Sequence, residues 1–186
     1  MTAQLFVLLL IGIILVVYAG IALTTWIRVR GTRVVTCPET HKPAAVNVDV
    51  GHAAVSAVWD KADLKVECCS RWPERAGCDE ACVTEIAEEG NDTRPKTIAA
   101  RFFEGKRCAI CGHPIDPINE AALQPGVLHP LTHEAFAWNE IPPEDLPDAL
   151  AFRRAICANC TLAESFRRRF PDRVVDRVPR PGSLVQ

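Results

Sequence analysis

The sequence predicts an α+β protein: a single N-terminal transmembrane helix, a small α/β cysteine-rich unit, and a second unit held together by metal. Three observations carry this. An uncharged apolar run, Leu5 to Ile27, opens the chain. Alternating and helical apolar spacings succeed one another over residues 44–68. Nine cysteines fall into two groups, the second of which is a pair of Cys-x-x-Cys hooks.

The opening run is mostly Leu, Ile and Val. At ~1.5 Å per residue it reaches roughly 34 Å as a helix, enough to cross a bilayer. Tyr18 and Trp26 suit interfacial positions. Gly20-Ile21-Ala22 offers a small-x-small cleavage site. However, no Lys or Arg precedes the run, and it is longer than a typical signal-peptide core, so a retained anchor is expected over residues 1–27. Arg28, Arg30 and Arg33 make residues 28–33 a basic juxtamembrane linker. The positive-inside tendency then puts the C-terminal part in the cytoplasm, under a bacterial-type inner membrane or another cell membrane. A reducing compartment keeps thiols available for metal, and an odd cysteine count suits disulfides poorly. The net charge of −2 implies no general attraction for nucleic acid.

Residues 34–90 read as the α/β unit. Arg33 to Thr36 is β-like and stops at Cys37-Pro38. Pro43 opens a strand in which Val46, Val48 and Val50 share one face and Asn47 and Asp49 the other. Gly51 breaks it. A helix follows from His52 to Ala62, with Val55, Val58 and Trp59 on one side. Leu64 to Cys68 alternates again, which predicts strand, helix, strand with right-handed parallel pairing. Gly77 to Cys82 leads into a helix ending near Gly90, with Asp79 and Glu80 in its first turn. Cys37, Cys69, Cys78 and Cys82 form a candidate second metal site, with Cys68 as the odd thiol. Buried apolar thiols, a disulfide or a reactive thiol are the alternatives. His41 or His52 could replace one ligand.

Residues 91–96 read as a linker, and 97–178 as the second unit. A helix over Thr97–Phe103 leads to Cys108-Ala109-Ile110-Cys111-Gly112, where the glycine suits a tight left-handed turn. A proline-rich insert follows. Val127–His133 and Phe136–Trp138 are candidate paired strands. Pro142–Leu146 opens a short helix packed by Leu146, Leu150 and Phe152. The second hook, Cys157-Ala158-Asn159-Cys160, starts a helix-like run whose free N–H groups and dipole favour thiolate charge. Residues 179–186 read as a flexible tail.

Cys108, Cys111, Cys157 and Cys160 supply the four thiolates of a closed tetrahedral zinc site. A knuckle followed by a hook on a helix resembles treble-clef and zinc-ribbon fingers over these two segments. That resemblance implies a structural zinc ion, one or two per chain once the candidate second set is included. Thiolates also bind iron, so an iron–sulfur centre is the alternative cofactor. His129 and His133 flank Pro130 and lack the metalloprotease spacing, and no Gly-rich phosphate loop, nucleophile elbow or paired-carboxylate motif occurs.

Arg153, Arg154, Arg167, Arg168 and Arg169 form a candidate basic contact surface. Its expected partners are anionic lipid or protein; few aromatics interleave the arginines, so nucleic acid is not expected. The functional expectation is a membrane-anchored, zinc-stabilised interaction or accessory protein, a candidate subunit of a membrane complex. A membrane-tethered iron–sulfur electron carrier is the alternative, and a thiol- or metal-dependent enzyme the second.

Overall fold

The computed structural model describes residues 2–173 apart from Pro73, Arg75 and Ala76; the tail expected over 179–186 lies outside the described residues. The chain folds as mixed helix and small sheets. It divides into a first unit, Met1–Arg101 with Pro142–Asp148, and a second, Phe102–Ile141 with the chain from Ala149 onward.

The first unit begins with α1, Thr2–Val29, long and apolar enough to cross a membrane from Ala3 onward. From Ala3 through Ile21 its side chains are exposed all round. Beyond that, Ala22, Thr25 and Val29 turn inward at helical spacing, and α1 packs against α2, Val50–Ser56. The C-terminal carbonyls of α1, left without intrahelical partners, are met by two guanidinium groups. Arg94 donates to the carbonyls of Ile27 (3.2 Å) and Arg28 (2.9 Å). Arg33 donates to Arg28 O, to Gly90 O at 2.6 Å and to Thr93 Oγ1 at 3.5 Å. Arg33, read above as the end of a basic linker, is therefore 1 % exposed and belongs to the core. Burial first, then the charges of Arg94 and Arg28, lower its pKa to about 10, still protonated at neutral pH.

Three strands follow: β1 (Arg33–Thr36), β2 (Pro43–Val48) and β3 (Val66–Cys69). All pair antiparallel in the order β1-β2-β3, with Val35 opposite Ala44 and Val46 opposite Cys69. The expected parallel pairing of β2 and β3 is thus corrected. The intervening α2 has seven residues, roughly 10 Å of rise, and docks on α1 instead of carrying the chain back across the sheet. Val50, expected on the strand, is the first residue of α2, because Asp49 caps that helix by accepting His52 N–H at 2.9 Å. The side of α2 that faces inward is Ala53 and Ala54. Val55 and Trp59 point out, Trp59 being 81 % exposed with its ring 6.2 Å from that of Tyr18.

Helix α3 covers Val83–Glu89 and ends at Gly90, whose φ of +56° favours glycine. Asp79 and Glu80 precede this helix; the acidic residue of its first turn is Glu85. Val29, Val35, Ala44, Val46, Val48, Ala53 and Ile86 make the first core. Residues expected to be a linker are ordered: a 3₁₀ turn spans Gly90–Thr93 and α4 spans Pro95–Phe103. Thr93 is buried there, its hydroxyl donating to Gly90 O at 2.8 Å.

The second unit holds a three-stranded antiparallel sheet, β5-β4-β6, from β4 (Gly126–Leu128), β5 (Ala135–Ala137) and β6 (Arg154–Ile156). Val127 lies between Phe136 and Ala155 in register and is fully buried. Helix α5, Leu146–Phe152, precedes β6, and α6, Ala158–Arg169, follows it. Leu146 and Leu150 are buried as expected from their spacing, whereas Phe152 is 77 % exposed. Glycine at 126 lets β4 approach its neighbours closely. A Cβ there would lie 2.4 Å from Phe136 O and 2.7 Å from the Cγ2 and Oγ1 of Thr161.

Candidate metal centre

The first hook sits on a tight knuckle. Cys108 N–H donates to His113 O at 2.8 Å, and Gly112 N–H returns to Cys108 O at 2.9 Å. Gly112 takes φ +74°, the left-handed conformation its sequence position predicts. Arg107 and Pro114 bridge across the base of the turn, and Ala109 N–H donates to Ala155 O at 2.9 Å, which ties the knuckle to β6. β6 then delivers the second hook. Cys157 is the N-cap of α6 in extended conformation, and Cys160 lies in the first turn. Thr161 secures this corner with its N–H and its hydroxyl, both donating to Cys157 O, at 2.9 and 3.0 Å.

The four sulfurs of Cys108, Cys111, Cys157 and Cys160 lie within 4.8 Å of one another. Zn–S bonds of about 2.3 Å would require tetrahedral edges of about 3.8 Å. The Cys111–Cys157 separation is 3.7 Å, far longer than a disulfide bond, and all nine cysteines are free. The thiols are therefore close enough together to hold a metal ion, and a set of four leaves no ligand position open. Their electrostatics suit a cation. Burial pushes the Cys108 thiol up, but the N–H groups of Cys111, Cys157 and Ile110 outweigh it and hold it at about 6. Burial, and then the neighbouring Cys157, Cys108 and Cys111 sulfurs, push Cys160 well above its usual value. The Cys108 thiolate forms readily, and the neighbouring sulfurs oppose ionisation of Cys157 and Cys160, the repulsion that a bound cation removes.

Cys37, Cys69, Cys78 and Cys82 line a single pocket of the first unit, with Val35, Val46 and Trp72. Cys68, the neighbour of Cys69, is exposed and opposes Asn47 across the sheet. Burial, then Cys69, Cys78 and Cys37, push the Cys82 thiol up to about 11. Of the two sets, the hooks are the one drawn to 4.8 Å spacing. Neither His41 nor His52 lines the pocket; His52 Nε2 lies 2.7 Å from Asp63 Oδ2 instead. In the β4–β5 turn His129 is half-buried and His133 exposed, and His129 Nδ1 accepts Thr132 N–H at 3.1 Å, an ordinary loop role.

The basic residues do not form one face. Arg168 lies 4.1 Å over the Phe136 ring and donates to Ala135 O at 2.9 Å, with Glu140 3.6 Å away. Arg153 stacks on the same ring, and Arg167 reaches Glu164 at 3.4 Å. Arg154 and Arg169 are solvated, on β6 and at the end of α6. What the sequence reading did not single out is the outer stripe of α6. Leu162, Phe166 and Phe170, four residues apart, are all exposed, with Arg173 5.6 Å over Phe170. Their i, i+4, i+8 spacing was the available signal. Thr161 and Gly126 were also missed, since their importance lies in one close approach.

Comparison with protein-family models, with curated proteins and with solved structures finds no match for this chain.

Proposed function

We propose that the protein is a membrane-anchored, zinc-stabilised accessory protein that binds another protein. The observation carrying this reading is the four-thiolate cluster at Cys108, Cys111, Cys157 and Cys160. Such a set saturates a tetrahedral ion and leaves no place for substrate or activated water, so the metal's work is to hold structure. The short strands of the second unit, three residues each, need that support. The apolar helix Ala3–Val29 supplies the anchor, and the arginines after it support a cytoplasmic C-terminal part. The outer stripe of α6 supports a protein partner. Three exposed apolar side chains beside Arg169 and Arg173 suit an apolar segment that carries acidic residues.

The test is a photo-crosslinking residue at Leu162 or Phe166 of the full chain in its own membrane. Crosslinks to a separate protein, abolished by Phe166→Asp with zinc content unchanged, are expected. Crosslinks confined to the chain's own C-terminal residues would overturn the assignment of this face. An iron centre is the second reading, favoured by the N–H groups of Ile110 and Cys111 aimed at the Cys108 sulfur, an arrangement that also stabilises iron thiolates. Visible absorption of anaerobically purified protein separates the two: a colourless preparation with stoichiometric zinc removes it.

A further inference from the structure

The turn after β1 repeats the hydrogen bonding of the metal knuckle, residue for residue. At the knuckle, the cysteine N–H donates to the carbonyl five residues on, Cys108 to His113, at 2.8 Å. At the turn, Cys37 N–H donates to Lys42 O at 2.9 Å. At the knuckle, the N–H four residues on returns to the cysteine carbonyl, Gly112 to Cys108, at 2.9 Å; at the turn His41 does so to Cys37 at 2.8 Å. The residue in that fourth position is left-handed in both, φ +74° at Gly112 and +52° at His41. The likeness extends to sulfur. Cys108 accepts from the N–H groups two and three residues on, Ile110 and Cys111, and Cys37 accepts from those of Glu39 and Thr40. Thr40 stands where Cys111 stands. The turn is thus half a knuckle, with a built thiolate position and one hook cysteine missing.

Three further cysteines line the same pocket as that position. Cys69 stands at the end of β3, and its Sγ accepts Arg71 N–H at 3.5 Å, again a donor two residues on. Cys78 and Cys82 come from the segment before α3, and all four line the same pocket. N–H groups aimed at sulfur stabilise thiolate over thiol, and they serve no packing purpose. We infer that Cys37, Cys69, Cys78 and Cys82 form a second thiolate metal site, which takes a zinc-class cation and draws the four sulfurs together around it. This goes beyond the proposed function, which rests on the hooks alone. The two sites divide the labour: one ion closes the second unit, the other pins the segment carrying Cys78 and Cys82 to the sheet of the first. Cys68 is then the one thiol left over, as its exposure on the opposite side of β3 requires.

The experiment uses the full chain in detergent, purified with reductant and zinc, the zinc ion itself being the probe. Elemental analysis should give two zinc ions per chain. Brief labelling with a maleimide, followed by mass spectrometry, should modify Cys68 alone, while chelation before labelling should expose all nine cysteines. The double variant Cys69→Ser/Cys82→Ser should keep one zinc, held by the hooks, and Cys157→Ser/Cys160→Ser should keep the other. One zinc per chain with Cys37, Cys69, Cys78 and Cys82 labelled together with Cys68 overturns the inference. So does one zinc per chain with any of these four paired in a disulfide. Loss of the hooks' ion alone would count against the first centre and leave this one standing, so the two failures are distinguishable.

Discussion

Alanine at position 126 should cost the second unit most of its metal affinity, although residue 126 touches no sulfur. The new methyl group would lie 2.4 Å from Phe136 O and 2.7 Å from two atoms of Thr161. Ordinary carbon–oxygen contact is about 3.3 Å, so the overlap with Phe136 O is about 0.9 Å. One neighbour is β5 backbone. The other is Thr161, whose N–H and hydroxyl fix the carbonyl of Cys157. Neither can yield without moving β5 from β4 or α6 from the knuckle. Overpacking of this kind costs about 1–3 kcal/mol, and the upper end applies where backbone blocks the escape. Because metal binds the folded unit, about 3 kcal/mol lost in folding appears as roughly a hundredfold weaker apparent zinc affinity. Competition against a chromophoric zinc chelator, on the full chain in detergent, measures it. Thr161→Ala in the same chain removes two of the three clashes and should restore part of the loss, more than the sum of the single changes allows. Gly126→Ala with zinc affinity and urea midpoint unchanged from wild type would refute the reasoning.

Three further outcomes are expected. Cys111→Ser changes an exposed side chain and no packing, yet should strip the metal on dialysis and speed amide exchange across β4, β5 and β6; retained metal with unchanged exchange contradicts a four-thiolate centre. Arg33→Met removes the charged donor to the carbonyls of Arg28 and Gly90, leaving Arg94 and the Thr93 hydroxyl as their remaining donors, and should lower stability by about 2 kcal/mol in denaturant melts, with Arg33→Lys recovering only part, because one ammonium cannot span both. Finally, α1 meets the Trp59 ring at Tyr18, and the stretch before it, Ala3 to Val17, gives roughly 22 Å of rise against a hydrocarbon thickness of about 30 Å. Once the helix spans, Trp59, beside Tyr18, should meet lipid headgroups: its fluorescence in a chain with Trp26, Trp72 and Trp138 changed to Phe should shift to the blue in nanodiscs and be quenched by brominated lipid. Emission like that of solvated tryptophan in both settings rules this out.

The hooks were legible because metal chemistry constrains spacing: two residues between sulfurs and a glycine after them identify a knuckle without knowledge of what surrounds it. The alternation in β2 was legible for the same reason, since Val46 and Val48 keep the period whatever sheet they join. Pairing direction was not, because it depends on where α2 docks, and the surface of α1 that receives it is apolar all round and carries no pattern. Arg33 reads as a surface charge in any sequence. Its burial follows from the unpaired carbonyls at the end of α1, which come within reach only in three dimensions. β6 was hidden because Arg154-Ala155-Ile156 is too short to show a period, and Phe152 was misplaced because α5 ends before its side chain can turn inward. The likeness between the Cys37 turn and the knuckle has no sequence signature, for the two share a single cysteine and a backbone path.

The two guanidinium groups that clasp the last carbonyls of α1 bypass the short connection of residues 30–32, in which Gly31 takes φ +94°. A force that tilted α1 would therefore reach β1 and the 3₁₀ turn at Gly90–Thr93 through side chains as well as through the backbone.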